Sequence, residues 1–437
     1  MNFISYLNMH RSRLGYVNCV LLIADVQLDS PAALRRRLDD FIFQAVSEDS
    51  PQFPNFAVLL RPGALEELDR QAAQRGRRRS KRTRQGVLSE SALRGPRAFN
   101  LGDLWLMQSS MRSHVGRIPR DYSNEPIELA KDLGLLSPGY ALTELGHMLQ
   151  LFVLEQGGRV AQAVPLPNPL SIYDDVRLRL LYLLALLRAD IVFAATLHTL
   201  ATEWKLDGVL PKALDSLIRG IESEKRLDAV GEAKDLFHLR ERIKKPRATR
   251  ETGLEKPVEK AQTVPRLEFG VDLGFLERQS GGKGSPSPDG TYLPTATLDL
   301  IPRAFDGLIE RPTAAAQWLD REFFGAAGIL YRQDLQACEN PDKRLFYFVR
   351  GSGFLKRRVG FIPGRIAATI GCLFAWLDGF RLEVADLFDE VYKVPKGKWS
   401  AYLQFSGGSR LDSEFLVVVD PTLESKLHET VHASRSE

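Results

Sequence analysis

Apolar residues recur at helical spacing along most of this chain, and short apolar runs interrupt that spacing at a few places. Residues 171–245 are predicted to be helical throughout. Within them, Tyr173 to Leu206 is apolar on most faces, as in helices packed inside a bundle. Further helices are predicted from residue 64 and over residues 101–111, 303–327, 366–377 and 383–391. We therefore expect a mainly α protein with small β elements, an α+β fold class.

Short runs rich in β-branched and aromatic residues predict strands between these helices. The first run, Val17–Asp25, has the composition of a buried strand. Ser30 and Pro31 then predict a helix start, as N-cap and first helical residue. Arg350-Gly-Ser-Gly353 predicts a tight hairpin. Further strands are predicted at Phe56–Leu60, Phe346–Val349, Ala401–Phe405 and Phe415–Val419.

One pattern occurs twice in the chain. Glu128-Leu-Ala-Lys-Asp-Leu-Gly-Leu-Leu-Ser137 is followed by Tyr140-Ala-Leu-Thr143, and Glu268-Phe-Gly-Val-Asp-Leu-Gly-Phe-Leu-Glu277 is followed by Tyr292-Leu-Pro-Thr295. In each, a helix ends at Leu-Gly-(Leu/Phe)-Leu and a short strand carries a tyrosine. Gly134 permits a left-handed helix end, and Thr143 is placed to cap the next helix, Glu144–Leu154. These stretches are termed the first copy and the second copy.

Each copy resembles the last helix and the wing of a winged helix-turn-helix domain of the kind found in bacterial DNA-associated proteins. The resemblance implies a fold that holds DNA and, in some proteins, holds other proteins instead. It also implies that the helix before the wing would read bases. The polar positions of that helix are Glu125, Glu128, Lys131 and Asp132 in the first copy, and Arg266, Glu268 and Asp272 in the second. Carboxylates that face a duplex repel its phosphates, so we expect these helices to read bases poorly and DNA to be held elsewhere.

The patterns together predict a multidomain chain, mainly α with small β wings. Two winged-helix modules would flank a helical bundle, with α/β pieces at both ends. The expected segments are an N-terminal α/β domain (1–73), a basic linker (74–98), a first winged helix (99–160), a helical bundle (161–245), a proline-punctuated linker (246–263), a second winged helix with its wing (264–300) and a C-terminal α+β domain (301–437).

The net charge of +4, from 59 basic and 55 acidic residues, is too balanced to identify a nucleic-acid-binding protein. The positive charge is concentrated, however, and residues 75–84 carry seven cations and no anion. Seven phosphate contacts would give strongly salt-dependent binding to double-stranded DNA. A solvated basic loop explains the run equally well. The residues assigned to phosphate contact are Arg75, Arg77, Arg78, Arg79, Lys81, Arg82, Arg84, Lys356, Arg357 and Arg358.

Two short motifs bear on catalysis. His428-Glu-Thr-Val-His432 fits HExxH, which can place two imidazoles on one helix face beside a metal. Few residues follow it, so a frayed polar C-terminal tail is the favoured interpretation. Asp420, Glu424 and Lys426 have the residue types of a metal-dependent nuclease but lie too close in sequence for adjacent strands. We predict no catalytic set and no cofactor.

Cysteine usage and hydropathy bear on the compartment. Cys19, Cys338 and Cys372 are far apart and form no CxxC pair, which argues against a disulfide framework and suits a reducing cytoplasm. The most apolar region, 178–200, contains charged residues and is predicted to be a core helix and not a membrane span. We therefore expect a cytoplasmic protein without membrane association.

These features predict a non-catalytic, DNA-associated subunit of a larger bacterial assembly, of the kind found in genome-defence or mobile-element systems. Its partners would be double-stranded DNA, held through the phosphate backbone, and other protein subunits. Two alternatives stay open. One is a metal-dependent hydrolase or nuclease in the C-terminal domain, and the other is a protein–protein scaffold that uses its winged helices.

Overall fold

A computed structural model describes the chain in several stretches. These are residues 2–46 (without 6, 8–13 and 26), 124–160, 172–244 (without 173–174 and 225–229), 246–248, 255–279, 291–356, 363–393, and 397–433 (without 398, 407–415 and 421). The strand predicted at 56–60 and the helices predicted from 64 and over 101–111 lie outside these residues. The chain divides into two compact units, an N-terminal unit of residues 1–302 with 309–312 and a C-terminal unit of residues 303–308 with 313–437.

The N-terminal unit is mostly helical, as predicted. Its helices are α1 (Leu14–Ile23), α2 (Pro31–Val46), α3 (Asn124–Asp132), α4 (Glu144–Val160), α5 (Val176–Ala189), α6 (Ile191–Thr202), α7 (Val209–Ser223), α8 (Val230–Lys244) and α9 (Val258–Asp272), with a 3-10 turn at Leu298–Leu300. Two antiparallel strand pairs accompany these helices. Strands β1 (Pro246–Ala248) and β2 (Glu255–Pro257) lie between α8 and α9, and strands β3 (Leu276–Gln279) and β4 (Thr291–Pro294) follow α9. Helix α10 (Ile301–Glu310) has residues in both units.

Helices α5 and α6 form the core of the N-terminal unit. Every residue from Leu180 to Leu187 is buried, which explains why the sequence shows no polar face there. Helix α7 has one apolar stripe, formed by Leu210, Ala213, Leu214, Leu217 and Ile221. The helical character predicted for residues 171–245 is thus confirmed for the described residues, with breaks at Asp190 and between Thr202 and Val209.

In the part of the chain that the structure describes, no single helix is both long enough and apolar enough to cross a membrane. The bent pair Val176–Ala189 and Ile191–Thr202, with 107° between its members, reaches that length and composition only when both helices are taken together.

The strand predicted at Val17–Asp25 is wrong, because these residues belong mainly to helix α1. Eight of its ten residues, from Leu14 to Leu21, are buried. A helix enclosed on all sides needs no polar face, so its sequence becomes a continuous apolar run that resembles a buried strand. The helix start predicted at Ser30 and Pro31 is confirmed, since Ala33 N donates to Ser30 Oγ at 3.1 Å where α2 begins.

The proline-punctuated stretch 246–263, which we expected to be a linker, contains regular structure. Hairpin β1–β2 pairs Pro246 with Pro257, and α9 begins at Val258 and continues through Pro265. The helix of the second copy is therefore longer than its sequence pattern indicated. Prolines are tolerated here because Pro246 and Pro257 lie at the ends of two very short strands.

The C-terminal unit is also mostly helical. Its elements are a 3-10 turn (Pro312–Ala314), α11 (Ala315–Arg321), α12 (Phe323–Leu330), β5 (Gln336–Ala337), α13 (Pro341–Lys356), α14 (Gly364–Leu377), β6 (Phe380–Arg381), α15 (Val384–Lys393), β7 (Leu403–Ser406), β8 (Leu416–Val419) and α16 (Leu423–Ala433). Strands β5 and β6 pair in parallel, and β7 and β8 pair antiparallel. The predicted helices at 303–327, 366–377 and 383–391 and the last two predicted strands are confirmed with small shifts of their ends.

Helix α13 overturns two predictions, because Phe346–Val349 is not a strand and Arg350-Gly-Ser-Gly353 is not a hairpin. Tertiary packing explains the glycines. A Cβ on Gly351 would lie 2.3 Å from Ala367 O, and a Cβ on Gly371 would lie 2.7 Å from Tyr347 O. These glycines let α13 and α14 approach at backbone distance.

The frayed C-terminal tail is a further correction. Residues Leu423–Ala433 form α16, and Leu423, Leu427 and Val431 are buried. The spacing of these three residues anchors one face of the helix on the C-terminal unit, and the polar residues occupy the other faces. The HExxH residues therefore lie on a packed helix.

Candidate functional site

The two copies end their helices with the same hydrogen-bonded turn. Gly134 and Gly274 both take positive φ, 71° and 83°, which only glycine adopts without steric strain. The bonds are those of the Schellman motif: Gly134 N to Lys131 O (2.9 Å), Leu135 N to Ala130 O (2.9 Å), Gly274 N to Val271 O (3.1 Å) and Phe275 N to Gly270 O (2.8 Å). The helix end predicted from Gly134 is confirmed and holds in both copies.

A tyrosine closes each copy onto its helix. Tyr140 Oη donates to Glu128 Oε1 at 3.0 Å, and Tyr292 Oη donates to Glu268 Oε1 at 2.7 Å. The two glutamates stand at the same distance in sequence before their glycines. The sequence shows this match in spacing, but it does not show that each tyrosine donates to the glutamate.

A threonine forms the second hydrogen bond between the strand and the helix end in each copy. Thr143 Oγ1 donates to Gly134 O at 2.7 Å, and Thr295 Oγ1 donates to Gly274 O at 2.9 Å. Thr143 Oγ1 also accepts from Gly146 N at 3.0 Å, as its predicted role at the start of α4 requires. The matched Tyr and Thr positions of the two copies thus have matched contacts.

The copies differ in their strands. In the first copy a single bridge joins Leu136 and Leu142, and the segment before α2 adds two bonds, Leu142 N to Asp25 O (2.8 Å) and Asp29 N to Gly139 O (3.1 Å). In the second copy, β3 and β4 pair over four residues. The glycine-rich stretch 280–290 falls within the second winged helix and wing expected at 264–300, and it lies outside the described residues.

The helix of the second copy faces the interior of the N-terminal unit. Arg266, Glu268 and Asp272 each have no exposed surface. The winged-helix resemblance would place these polar residues on a base-reading face, but they are buried inside the unit. Sequence reasoning failed here because a charged residue in a helix is normally exposed unless it is paired, and these residues are paired.

Arg266 is the centre of this buried polar network. Its Nε and Nη2 donate to Asp190 Oδ2 and Oδ1 at 2.9 and 3.1 Å, and Nη2 also donates to Ile4 O at 3.0 Å. Burial raises the pKa of Asp190, and the guanidinium of Arg266 opposes that rise. Charge pairing and hydrogen bonds to both partners make burial of the two charges tolerable.

The same helix face holds the first residues of the chain. Gln262 exchanges two hydrogen bonds of 3.0 Å with the backbone of Leu7, and Asp272 Oδ2 accepts from Leu14 N at 2.8 Å. The polar side chains of α9 thus act as partners for backbone groups of the N-terminal segment. They satisfy groups that would otherwise be buried without hydrogen bonds.

The helix of the first copy is more exposed. Glu128 and Lys131 form an ion pair at 3.2 Å, and their side chains are 31% and 32% exposed. Asp132 is exposed and Glu125 is half-buried. The polar positions of this helix match the expectation of a carboxylate-rich surface.

A matched pair of substitutions tests whether the stabilisation by the tyrosine–glutamate hydrogen bond depends on burial. We expect Tyr292→Phe to lower the free energy of unfolding by about 2 kcal/mol, because Glu268 loses a buried charge-assisted hydrogen bond. Tyr140→Phe should cost about 0.5 kcal/mol, since water can replace the hydroxyl at the half-exposed Glu128. Urea titration of both variants measures the difference. Equal losses would contradict the burial argument.

The residues assigned to phosphate contact fall mostly outside the described part of the chain. Arg75, Arg77, Arg78, Arg79, Lys81, Arg82 and Arg84 lie there, as do Arg357 and Arg358. Lys356 is the last residue of α13, and its side chain is likewise not described. Their assignment stays a prediction from the sequence.

The residues of the two catalytic motifs are placed as follows. Asp420 accepts hydrogen bonds from Thr422 N and Oγ1 at 2.7 and 2.6 Å, as a turn residue before α16. Lys426 Nζ lies 4.0 Å from the centre of the Tyr402 ring. The backbone of His432 lies near the end of α16, and its side chain is not described. Within the described stretches, no three His, Cys, Asp or Glu side chains are grouped closely enough to hold a metal ion.

His428 lines a cleft of about 800 Å³ in the C-terminal unit. Its ring centre lies 5.9 Å from that of Phe346 on α13. The walls come from α13, α16, the turn after α14 and the first residue of β6. The other lining residues that the structure describes are Lys343, Tyr347, Arg350, Asp378, Phe380, Glu424, Ser425, Glu429 and Val431.

Comparison with known proteins identifies no relative. The chain matches no family model, no curated protein and no solved structure.

Proposed function

We propose that this chain is a non-catalytic subunit of a larger DNA-associated assembly, with two winged-helix modules as its framework. The observation that carries the proposal is the repetition of one set of contacts. Both copies share the glycine turn, the tyrosine-to-glutamate bond and the threonine-to-carbonyl bond. A helix closed onto a short hairpin by these contacts is the arrangement that the winged-helix resemblance implies.

The proposal assigns DNA contact to phosphate electrostatics and not to base reading. A helix that reads the major groove needs exposed side chains along one face. In the second copy, Arg266, Glu268 and Asp272 are buried, and in the first copy Glu128 and Asp132 would repel phosphates. The cluster at 75–84 and the group at 356–358 supply the cations that phosphate contact requires.

A protein–protein scaffold is the second candidate, and the burial of α9 favours it. In the second copy, the polar face of the helix is used for contacts within the chain, as with Gln262 and Leu7. Because α9 packs inside its own chain, only the other surfaces of this module are available to contact another protein. The scaffold needs no DNA contact at all.

Salt-dependent binding to duplex DNA separates the two candidates. We expect the full chain to bind a random-sequence duplex in fluorescence anisotropy at about 50 mM salt and much less at about 200 mM. The test variant changes Arg77, Arg78, Arg79, Lys81 and Arg82 to alanine. Its slope of log K against log salt should become shallower by about 4.5, because each neutralised phosphate contributes about 0.9 to the slope.

A matched variant removes five exposed cations elsewhere, at Lys205, Arg219, Lys234, Arg303 and Arg311. It should leave the slope nearly unchanged, because these five side chains are not among those assigned to phosphate binding. Equal reductions in both variants would show that net charge and not the cluster drives binding. If the unmodified chain fails to bind at the lower salt concentration, the DNA proposal is wrong and the scaffold candidate remains.

A further inference from the structure

The cleft of the C-terminal unit has one wall built on a single face of α13. Lys343, Phe346, Tyr347 and Arg350 follow the spacing that places residues on one side of a helix. The ring centres of Phe346 and Tyr347 lie 5.5 Å apart, and those of Tyr347 and Phe380 lie 6.3 Å apart. With His428 beside Phe346, the accessible rings of the cleft are those of Phe346, Phe380 and His428, because Tyr347 is only 2% exposed.

The positive charges of this wall already have partners inside the cleft. Arg350 Nη1 lies 2.8 Å from Asp378 Oδ2, and Lys343 Nζ lies 3.2 Å from the centre of the Phe380 ring. Tyr347 Oη also donates to Asp378 Oδ2 at 3.1 Å. Burial and the charge of Asp378 raise the pKa of Tyr347, so its hydroxyl keeps the proton that it donates.

The opposite wall, on α16, carries the carboxylates of Glu424 and Glu429. Neither forms an ion pair within the residues that the structure describes. Among the described lining residues, the three carboxylates of Glu424, Glu429 and Asp378 exceed the two cations, Lys343 and Arg350, by one negative charge. An anionic ligand such as a nucleotide would be repelled by that excess, whereas a cationic ligand would neutralise it.

A planar cation fits both parts of this lining. Guanidinium groups stack on aromatic faces and pair with carboxylates, which ammonium groups do less well. The cleft wall already contains this arrangement, because Arg350 Cζ lies 4.7 Å from the centre of the Phe374 ring while its Nη1 contacts Asp378. The same chemistry is available to a ligand between the aromatic wall and Glu424 and Glu429.

We propose that this cleft binds an arginine side chain of a short peptide segment from a partner protein, stacked on the aromatic wall and paired with the α16 carboxylates. The volume favours a peptide over a free small cation, because about 800 Å³ lies within the range of sites for much larger ligands. The proposal is independent of DNA binding, since it uses no residue assigned to phosphate contact.

Isothermal titration calorimetry with the full chain tests it. The probe is the acetylated, amidated peptide Gly-Gly-Arg-Gly-Gly, and the control peptide has citrulline, which keeps the shape of arginine without its charge. We expect heat of binding for the arginine peptide and none for the citrulline peptide. Ethylguanidinium, a free guanidinium cation with the same single charge, should bind more weakly than the peptide.

Three variants locate the contact. The double variant Glu424→Gln with Glu429→Gln should weaken binding about tenfold, and Glu339→Gln, an exposed position that does not line the cleft, should leave it unchanged. Lys343→Met should tighten binding about threefold by removing a competing cation. An arginine peptide that does not bind, binding that survives the double change, or binding weakened by Lys343→Met would overturn the proposal. Ethylguanidinium that binds as tightly as the peptide would also overturn the assignment of a peptide.

Discussion

Asp190→Ala is expected to lower the free energy of unfolding of the N-terminal unit by about 3–5 kcal/mol, one of the two largest effects that we predict. The guanidinium of Arg266 has no exposed surface and makes two of its hydrogen bonds to Asp190. Removal of the carboxylate leaves a buried charge without its partner. Urea denaturation followed by circular dichroism measures the loss.

Two controls make this result specific. Glu203→Ala removes an ion pair with Lys212 whose side chains are 57% and 46% exposed, and it should cost far less than Asp190→Ala, because water solvates both charges. The double change Asp190→Leu with Arg266→Met removes both charges and should recover part of the loss. If Asp190→Ala costs no more than Glu203→Ala, the charge pair does not stabilise the unit.

Gly146→Ala is expected to be the second large effect, a loss of about 3 kcal/mol. A Cβ at this position would lie 1.9 Å from Leu135 O, which is a backbone atom inside the turn of the first copy. Such a contact requires the turn and α4 to separate. The hydrogen bond from Gly146 N to Thr143 Oγ1 would break with it. Thermal unfolding and urea titration both measure the change.

Gly231→Ala is the matched control, because Gly231 is also helical and a Cβ there would meet nothing within 4 Å. Alanine should stabilise α8 by about 0.5 kcal/mol, since it restricts the unfolded chain without a clash. A stable Gly146→Ala protein would mean that the first copy does not hold α4 in the position described. Destabilisation by Gly231→Ala would mean that a Cβ is unfavourable at helical glycines of this chain even without a clash, so the clash would not explain the loss at Gly146.

Local features were predictable because their causes lie within a few residues. Ser30 caps α2, and Gly134 ends α3 by the Schellman pattern, as their residue types require. Thr143 is followed by a helix for the same kind of reason. The match between the two copies was visible in the sequence, because each needs a glycine, a tyrosine and a threonine at set places.

The errors arose where burial removed the pattern on which prediction depends. Helix α1 is enclosed, so its apolar run had the composition of a strand. In α13, Phe346–Val349 has aromatic and β-branched residues, and Gly351 serves a close crossing with α14 and not a turn. Composition reports which residues avoid water, but it does not report which neighbour covers them.

The sequence by itself determined that this chain is mainly helical, that one helix–turn–strand pattern occurs twice, and where the helices of both copies end. These properties follow from spacing, caps and glycines, which act over a turn or two of backbone. Only the tertiary structure decided that Arg266 and Glu268 face inward and that His428 borders a cleft. Those outcomes depend on partners far away in the chain, Asp190 and Phe346 among them, and folding brings such partners together because buried charges and rings need them.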